Sequence, residues 1–292
     1  MNGGMTTHDV KKRKNGDKLV MTTCYDATWA RLVAGSGVDM VLVGDSLGMV
    51  IQGQENTLPV TLDDVIYHGR AVARGFRAAG TTWPHLTIDM PFGSYQESSR
   101  QALKNATRVM KDVPAESIKL EGGWMVADAV RRIVAAGIPV MGHVGLTPQS
   151  VQAFGGHRVQ GRESEAAEKI FEDAVSLERA GCYSVVLEGI PTPLAERITK
   201  RLQIPTIGIG AGPHCDGQVL VLYDLLGISG PDFKPKFLKR YADVHGAARD
   251  ALAAFAREVK DGTFPDEAHS YSGSPAGPAP TVAYSSPGAK KK

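Results

Sequence analysis

The sequence predicts an α/β fold, a closed (β/α)8 TIM barrel, on three observations. Short apolar runs rich in β-branched residues recur along the chain, and longer stretches with helical periodicity separate them. The runs are almost continuously apolar, which is typical of parallel strands covered by helices on both faces. Seven or eight such units in a chain of 292 residues suit a closed barrel better than an open doubly wound sheet.

Eight strand-like runs account for the strands of the predicted barrel. In order they are 18–26, 39–45, 85–90, 117–122, 139–145, 183–189, 204–212 and, as a plausible eighth, 218–227. The stretches 124–137 and 162–181 have helical periodicity, and each ends on a glycine, as helices often do. No GxGxxG follows the first strand, and the glycine-rich 208–212 comes too late in the chain to indicate a dinucleotide-binding fold.

Composition predicts three parts and small-molecule partners. We expect an N-terminal arm (1–17), a catalytic barrel domain (18–269) and a disordered Pro/Ser/Gly-rich tail (270–292). With 33 basic and 31 acidic residues, the chain is too evenly charged to hold nucleic acid mainly by neutralising phosphates, and the basic run 11–14 is interpreted as solvated. No signal peptide or membrane-spanning run is visible, and the three cysteines form no CxxC pair, so we expect a soluble, cytoplasmic protein with reduced thiols.

Ionisable residues stand at the carboxyl ends of most predicted strands, where barrels of this type have their active sites. In chain order these ends carry Asp26, Asp45 with Ser46, Asp89, Lys119 with Glu121, His143, Glu188 and the glycines of 208–212. One acid at such a turn is more often a helix N-cap than a ligand. Several acids that converge on one barrel mouth, however, would repel each other unless a cation lay among them.

The residue types favour a hard divalent ion such as Mg²⁺, because carboxylates are present without a cysteine or histidine cluster. Asp45, Asp89 and Glu121 end neighbouring strands and could share this ion, which leaves Glu188, across the barrel, free to act as a base. Lys119 shares a strand face with Glu121 and is expected to face an anion. His143, within GHVG, is interpreted more readily as a satisfied histidine in a glycine-lined gap than as a catalytic group.

Eight segments carry a resemblance to a known family. They are VGDSLGMV (43–50), TLPVTLDD (57–64), IDMPFGSY (88–95), KLEGG (119–123), MGHVGLTPQS (141–150), GGHRVQGR (155–162), VLEGIP (186–191) and IPTIGIGAGPHCDGQVLV (204–221). From about Lys18 to about Pro265 the chain resembles the ketopantoate hydroxymethyltransferase family, also called 3-methyl-2-oxobutanoate hydroxymethyltransferase. It departs from the family pattern at His157, where many members carry an aromatic residue, and at 54–56.

This resemblance implies a barrel of the phosphoenolpyruvate mutase/isocitrate lyase type and a Mg²⁺-dependent reaction. A hydroxymethyl unit would pass from 5,10-methylenetetrahydrofolate to 3-methyl-2-oxobutanoate and give 2-dehydropantoate, the first step of pantothenate biosynthesis. The resemblance also implies a homo-oligomer, commonly a decamer. Carried over residue by residue, it implies Asp45, Asp89 and Glu121 as metal ligands, Ser46, Asp45, Asp89, Lys119 and His143 around the substrate, and Glu188 as the proton acceptor.

The chemistry expected from this set begins with chelation of the ion by the keto acid, which makes its C3 acidic. Glu188 would then remove the C3 proton, and the enolate would attack the one-carbon unit of the folate while Lys119 orients the carboxylate. One alternative is a Mg²⁺-dependent carbon–carbon lyase of the isocitrate lyase superfamily, but no cysteine here stands in the K-x-C-G-H-like loop that such lyases usually carry. A catalytically inactive barrel used as a binding module is a second alternative, although it has no need for the four acids together.

Overall fold

The computed structural model describes residues 4–80, 82–153, 155–156 and 158–271. Eight parallel strands form one closed barrel in chain order, and the last strand pairs with the first. The strands are β1 (Leu19–Thr23), β2 (Met40–Val43), β3 (His85–Asp89), β4 (Ser117–Glu121), β5 (Val140–Gly145), β6 (Ser184–Glu188), β7 (Thr206–Ile209) and β8 (Gly217–Leu220). The predicted (β/α)8 barrel is therefore confirmed.

Helices precede, separate and follow the strands along the chain. They are α1 (Thr7–Lys12), α2 (Ala27–Ala34), α3 (Leu47–Val50), α4 (Leu62–Ala79), α5 (Ser99–Asp112), α6 (Ala127–Ala135), α7 (Ser164–Ala180), α8 (Thr192–Arg201), α9 (Leu222–Leu225) and α10 (Val244–Asp261), with short 3₁₀ turns at Trp124–Val126, Pro148–Ser150 and Glu267–His269. Gly181 ends α7 with a φ of 104°, a left-handed conformation that glycine adopts without steric cost. In the part of the chain described, no helix is both long and apolar enough to cross a bilayer.

The eighth predicted run, 218–227, is a strand only in its first part. β8 pairs with the short β1 from Leu19↔Gly217 to Thr22↔Leu220, and the chain then leaves the sheet. The backbone N–H of Leu222 donates to Thr23 Oγ1 at 3.1 Å, and α9 begins at this residue. Extending the strand to 227 was therefore wrong, because the backbone leaves the ladder after Leu220 and Leu222 bonds to the side chain of Thr23, not to its main chain.

Side chains fill the barrel interior. Its apolar core consists of Val10, Leu19, Met21, Met40, Leu42, Met141, Tyr183, Val186, Ile207 and Val219. Buried polar groups continue the filling at the start of β3 and β4, where His85 Nε2 lies 2.9 Å from Ser117 Oγ and 3.0 Å from Tyr183 OH. The interior is thus packed with side chains toward the amino-terminal ends of the strands. Polar residues occupy the carboxyl-terminal ends.

The N-terminal segment packs against the amino-terminal end of the barrel. Val10 of α1 is fully buried in the core, and His85 Nδ1 donates to the carbonyl oxygen of Met5 at 2.9 Å. Lys14, part of the basic run that we interpreted as solvated, instead forms an ion pair with the buried Asp216 at 2.9 Å. This segment therefore contributes directly to barrel packing.

The chain divides into two compact units, Met1–Leu222 with Pro235–Leu238, and Tyr223–Lys234 with Lys239–Lys292. The first unit contains the barrel. In the second, Arg240 Nη2 donates to the carbonyl oxygens of Gly230 and Phe233, each at 2.7 Å. The domain bounds predicted from sequence (1–17, 18–269 and 270–292) stay a prediction. His157 and the predicted tail from residue 272 onward lie outside the described residues.

Candidate functional site

Three acids predicted from the strand ends lie together at the mouth of the barrel. Asp45, Asp89 and Glu121 each offer one oxygen, and these oxygens lie within 4.8 Å of one another. All three residues are buried, with at most 5% of their surface exposed. They meet because Asp89 and Glu121 close β3 and β4 while Asp45 follows β2, and parallel strands of a barrel end at the same rim.

Not every acid of the rim belongs to this cluster. The side chain of Asp26 accepts hydrogen bonds from the backbone N–H groups of Thr28 and Trp29, at 2.8 and 2.9 Å, and so caps the N-terminus of α2. Asp89 Oδ2, by contrast, accepts from the backbone N–H of Asp45 at 3.2 Å. Asp26 therefore has the ordinary capping role, whereas Asp45 and Asp89 face each other across neighbouring strand ends.

Lys119 reaches into the acidic cluster from β4. Its Nζ lies 2.9 Å from Asp89 Oδ1 and 3.4 Å from Glu121 Oε1. Asp89 Oδ1 has no aligned hydrogen-bond donor, so Lys119 acts on it mainly as a charge. Burial disfavours the charged form of this lysine, but the carboxylates of Asp89, Glu121 and Asp45 raise its pKa. The lysine is therefore a cation held against the acids.

His143 stands between two carboxylates. Its Nδ1 lies 3.3 Å from Glu121 Oε1, and its Nε2 lies 3.3 Å from Glu188 Oε2. Burial and Lys119 both disfavour its protonated form, yet contacts with Glu121 and Glu188 raise the pKa of His143 to about 9. Glu188, at the end of β6, is more open than the other acids, with 20% of its side chain exposed. The histidine is thus part of the charged site and does more than fill a gap.

The electrostatics of the three acids favour a cation. Burial raises the pKa of Asp45 well above its usual value, and the charges of Asp89 and Glu121 raise it further. Burial also raises the pKa of Asp89, in spite of Lys119. Burial opposes the charge of Glu121 as well, but Lys119 and His143 lower its pKa to about 2. Because the acids repel one another, a divalent ion with carboxylate ligands fits this donor set, and the triad could bind a metal.

Ser46 lies beside the acids at the start of α3. Its Oγ is 2.8 Å from the hydroxyl of Tyr25, a buried residue that follows β1. The carbonyl oxygen of Tyr25 accepts a hydrogen bond from His68 Nδ1 at 2.7 Å. Ser46, which was predicted to contact the substrate, therefore lies at the same rim as the acids. The hydroxyl of Tyr25, directly after β1, contacts it there.

Sequence reasoning missed two buried polar residues at this site, Tyr95 and Gln149. Gln149 donates to Asp45 and to Glu121, and Tyr95 OH donates to Gln149 Oε1 at 2.6 Å. Both lie in segments that carry the family resemblance, 88–95 and 141–150, shortly after a strand end. That position was the available signal, but a polar loop residue has no periodicity to indicate which way it points.

Glycines within β7 and directly after it pack against protein atoms. A Cβ at Gly208 would lie 2.9 Å from Cys215 Sγ, and one at Gly210 would lie 3.2 Å from Phe237 Cδ1. Gly210 also has a φ of 61°, which favours glycine. The closest approaches to these two glycines are therefore made by side chains of the barrel unit.

Two cavities on the outer surface lie away from the acidic cluster. One, of about 480 Å³, is lined by α7 and α8, where Lys200 donates to Glu196 at 2.7 Å. The other, of about 510 Å³, lies at the C-terminal ends of α4 and α5, where basic side chains complement the helix dipoles. Each has a single acid in its lining, so we place the functional site at the mouth of the barrel.

The barrel and its acidic mouth define the class of protein, a (β/α)8-barrel protein with the fold of the phosphoenolpyruvate mutase/isocitrate lyase superfamily. A 2,3-dimethylmalate lyase of that superfamily superimposes with a TM-score of 0.56 at 12% identity, covering 89% of this chain and 90% of that one. A phosphonopyruvate hydrolase solved with oxalate and Mg²⁺ gives 0.57 at 12% identity, covering 91% and 93%. At these identities the likeness shows the fold alone.

Sequence comparison identifies the family. The family described as Ketopantoate hydroxymethyltransferase matches residues 4–267. The 3-methyl-2-oxobutanoate hydroxymethyltransferase of Anaeromyxobacter dehalogenans is 56% identical over 268 residues, covering 91% of this chain and 87% of that protein. The enzyme of the same name from Geobacter metallireducens is 51% identical over 273 residues, covering 93% and 100%. The chain belongs to the ketopantoate hydroxymethyltransferase family, as the quoted segments predicted.

Proposed function

We propose that this protein transfers a hydroxymethyl unit from 5,10-methylenetetrahydrofolate to 3-methyl-2-oxobutanoate and gives 2-dehydropantoate, the first step of pantothenate biosynthesis. Relatives more than 50% identical carry the name of this activity. The observation that carries the proposal is the cluster of Asp45, Asp89 and Glu121, whose oxygens lie within 4.8 Å of one another beside Lys119. The reaction of a keto acid can use both groups, since the cation would stabilise charge on the carbonyl oxygen and the positive side chain would bind the carboxylate.

Asp45, Asp89 and Glu121 would hold Mg²⁺. When bound, the ion supplies stabilisation of the negative charge that develops on a carbonyl oxygen. The site is buried and acidic, which suits a hard cation with oxygen ligands. Lys119, the cationic side chain beside these acids, would bind the carboxylate of the keto acid by a charge-assisted hydrogen bond and orient it, with Ser46 at the same rim.

Glu188 would accept the proton from C3 of 3-methyl-2-oxobutanoate. Its side chain is 20% exposed, so substrate can approach it, and its Oε2 lies 3.3 Å from His143 Nε2. This ring nitrogen is buried and has no aligned hydrogen-bond partner, so its contact with Glu188 is mainly one of charge. His143 would thereby hold the carboxylate of Glu188 in place and balance its charge. The proton taken from C3 would reside on Glu188.

The proposal is tested by assaying purified protein with both substrates, with and without Mg²⁺. We expect 2-dehydropantoate to form only when the folate, the keto acid and the divalent ion are all present. A parallel assay replaces both substrates by 2-methylisocitrate, and cleavage there without 2-dehydropantoate formation in the first assay would support the lyase alternative. Binding of the keto acid without any turnover would support the binding module, and either result would overturn the proposed transfer.

We further infer that the protein is a homo-oligomer, a decamer, and that it acts in the cytoplasm. Both inferences rest on the family resemblance and on the features of the sequence, and both stay predictions. Light scattering coupled to gel filtration should give a mass ten times that of the chain. A monomeric mass at micromolar concentration would contradict the oligomer, and recovery in a membrane or exported fraction would contradict the location.

A further inference from the structure

Gln149 connects the ends of three strands that carry the acidic cluster. It lies in the Pro148–Ser150 turn after β5 and is 4% exposed. Its side-chain Nε2 donates to Asp45 Oδ2 and to the carbonyl oxygen of Met90, each at 2.9 Å. Its backbone N–H donates to Glu121 Oε2 at 3.0 Å. One residue in the turn after β5 therefore contacts the ends of β2, β3 and β4.

The orientation of the Gln149 amide is fixed by its partners. The carboxylate of Asp45 and the carbonyl of Met90 accept hydrogen bonds, so the NH₂ group must face them. On the other side, Oε1 accepts from Tyr95 OH at 2.6 Å and from Gln96 Nε2 at 3.1 Å. Both donors and both acceptor positions of the amide are thus occupied, which leaves a single satisfied arrangement.

Tyr95 supports the same arrangement through the backbone. Its hydroxyl, in a residue only 2% exposed, accepts from the backbone N–H of Glu121 at 3.1 Å while it donates to Gln149 Oε1. Glu121 is consequently held at its main chain by Tyr95 and at its carboxylate by Gln149. A buried network in which every member is satisfied is rigid, because any rotation leaves a polar group unpaired.

The donors of Gln149 are neutral, and this matters for a cation site. They bind one oxygen of Asp45 and one of Glu121 and leave the negative charge of both side chains in place. A lysine or arginine here could supply similar hydrogen bonds, but it would cancel the charge that attracts a cation. Neutral groups that donate hydrogen bonds to the carboxylate ligands of a metal orient these ligands in proteins and tune the affinity of the site for the metal.

We propose that Gln149 is the positioning residue of the acidic site, which fixes Asp45 and Glu121 in the arrangement that lets them share one divalent cation. The inference rests on the proposed function in taking a divalent ion as the ligand. It goes beyond that function by assigning the geometry of the triad to a residue whose amide atoms are all hydrogen-bonded within the protein. Gln149 therefore acts through the two carboxylates.

The test measures binding of Mn²⁺ alone to the full-length, substrate-free protein by calorimetry. Gln149→Met keeps the length of the side chain but removes its donors and acceptor. We expect its Kd for Mn²⁺ to rise roughly 10–100-fold, as for other residues that orient metal ligands. The melting temperature without metal is measured on the same samples, so that a loss of affinity in a folded protein can be told from unfolding.

Two further variants complete the test. Thr199→Val removes a buried hydrogen bond, to Thr206 Oγ1 at 2.8 Å, at the other end of the barrel, and should leave the Kd unchanged. Tyr95→Phe removes one donor to Gln149 Oε1 and should raise the Kd several-fold, less than Gln149→Met. It also replaces Gln149→Met as the deciding variant if that protein does not fold.

The outcomes separate this inference from the proposed function. If Gln149→Met, or Tyr95→Phe in its place, binds Mn²⁺ as tightly as the unchanged protein, the positioning role of Gln149 is overturned while the metal site stands. If the unchanged protein binds no Mn²⁺, or binds it equally well after Asp89→Asn, the metal site of the proposed function fails first. A raised Kd in both variants, with Thr199→Val unaffected, supports the inference.

Discussion

Lys119 Nζ lies 2.9 Å from Asp89 Oδ1, with both side chains at least 96% buried. The pairing of β3 with β4 sets them side by side, since Asp89 is opposite Lys119 in the register. Removing one partner of a buried pair leaves the other charge uncompensated, so the two ends of this pair should respond differently to substitution. The acid belongs to the triad proposed to hold the cation, whereas the lysine competes with that cation for the same carboxylates.

Lys119→Met should therefore weaken substrate binding without weakening metal binding. Loss of a charge-assisted hydrogen bond to the keto acid, of about 1.5–3 kcal/mol, should raise KM for 3-methyl-2-oxobutanoate on the order of 10–100-fold. The Kd for Mn²⁺ should stay the same or fall, because a positive charge has left the site. Lys200→Met, on the outer surface, serves as the control. Weaker Mn²⁺ binding in Lys119→Met would contradict the role assigned to this lysine.

Asp89→Asn should raise the Mg²⁺ concentration needed for half-maximal activity by about 100-fold or more, because a ligand is lost outright, not merely reoriented. A metal titration of activity measures this. Asp26→Asn is a matched control, since Asp26 stands at the same rim but caps α2, and asparagine caps a helix about as well as aspartate. Equal metal requirements in the two variants would remove Asp89 from the proposed metal site.

Glu188→Gln should abolish exchange of the C3 proton of 3-methyl-2-oxobutanoate with solvent while sparing substrate binding. Removal of a general base slows proton transfer by roughly 10²–10⁴-fold. Deuterium uptake from D₂O, followed by NMR without folate, isolates this step from the transfer. Glu168→Gln, on the exposed face of α7, should exchange normally. Exchange at the unchanged rate in Glu188→Gln would eliminate Glu188 as the base.

His85 should make the fold less stable as the pH falls from about 6.5 to about 4. Burial lowers the pKa of this histidine to about 4, against 6.5 for the unfolded chain. Between these values the unfolded state takes up a proton that the folded state does not, so the free energy of unfolding decreases with falling pH, by about 3 kcal/mol over the whole window.

The variant that checks this is His85→Gln, which keeps a donor and an acceptor but cannot take up a proton in this range. Thermal unfolding of both proteins should be followed from pH 7.5 to 4. Below pH 7 the melting temperature of His85→Gln should fall less steeply with pH than that of the unchanged protein. Above pH 7 the two curves should have the same slope. Parallel curves throughout the range would show that His85 does not contribute to the acid sensitivity.

The barrel and the acids could be predicted from sequence because both depend on short-range patterns combined with one rule of topology. Apolar runs give the strands, and parallel strands of a barrel end at one rim, so Asp45, Asp89 and Glu121 had to lie near each other. The same rule placed Glu188 at this rim. Its limit appears at Asp26, where the acid at a strand end is an N-cap, because strand position alone does not tell a cap from a ligand.

The remaining parts depend on the paths of loops and termini. Gln149 reaches Asp45 across a sequence separation of 104 residues through a turn that has no periodic signal. Val10 joins the core from a position directly before the basic run 11–14, which charge alone had suggested was solvated. In both cases tertiary contacts decide the position of the side chain, and local propensity carries no information about them.

Packing of the N-terminal segment has a kinetic consequence. Val10 lies in the core, and the carbonyl oxygen of Met5 accepts a hydrogen bond from His85, so the N-terminal segment closes the amino-terminal end of the barrel in the described part of the chain. Substrates would therefore reach the carboxylates from the opposite rim. Under the proposed function, a small keto acid would lie deepest in the mouth of the barrel and the much larger folate would lie over it. Entry and exit would then follow a fixed sequence, in which the keto acid arrives first and its product departs last.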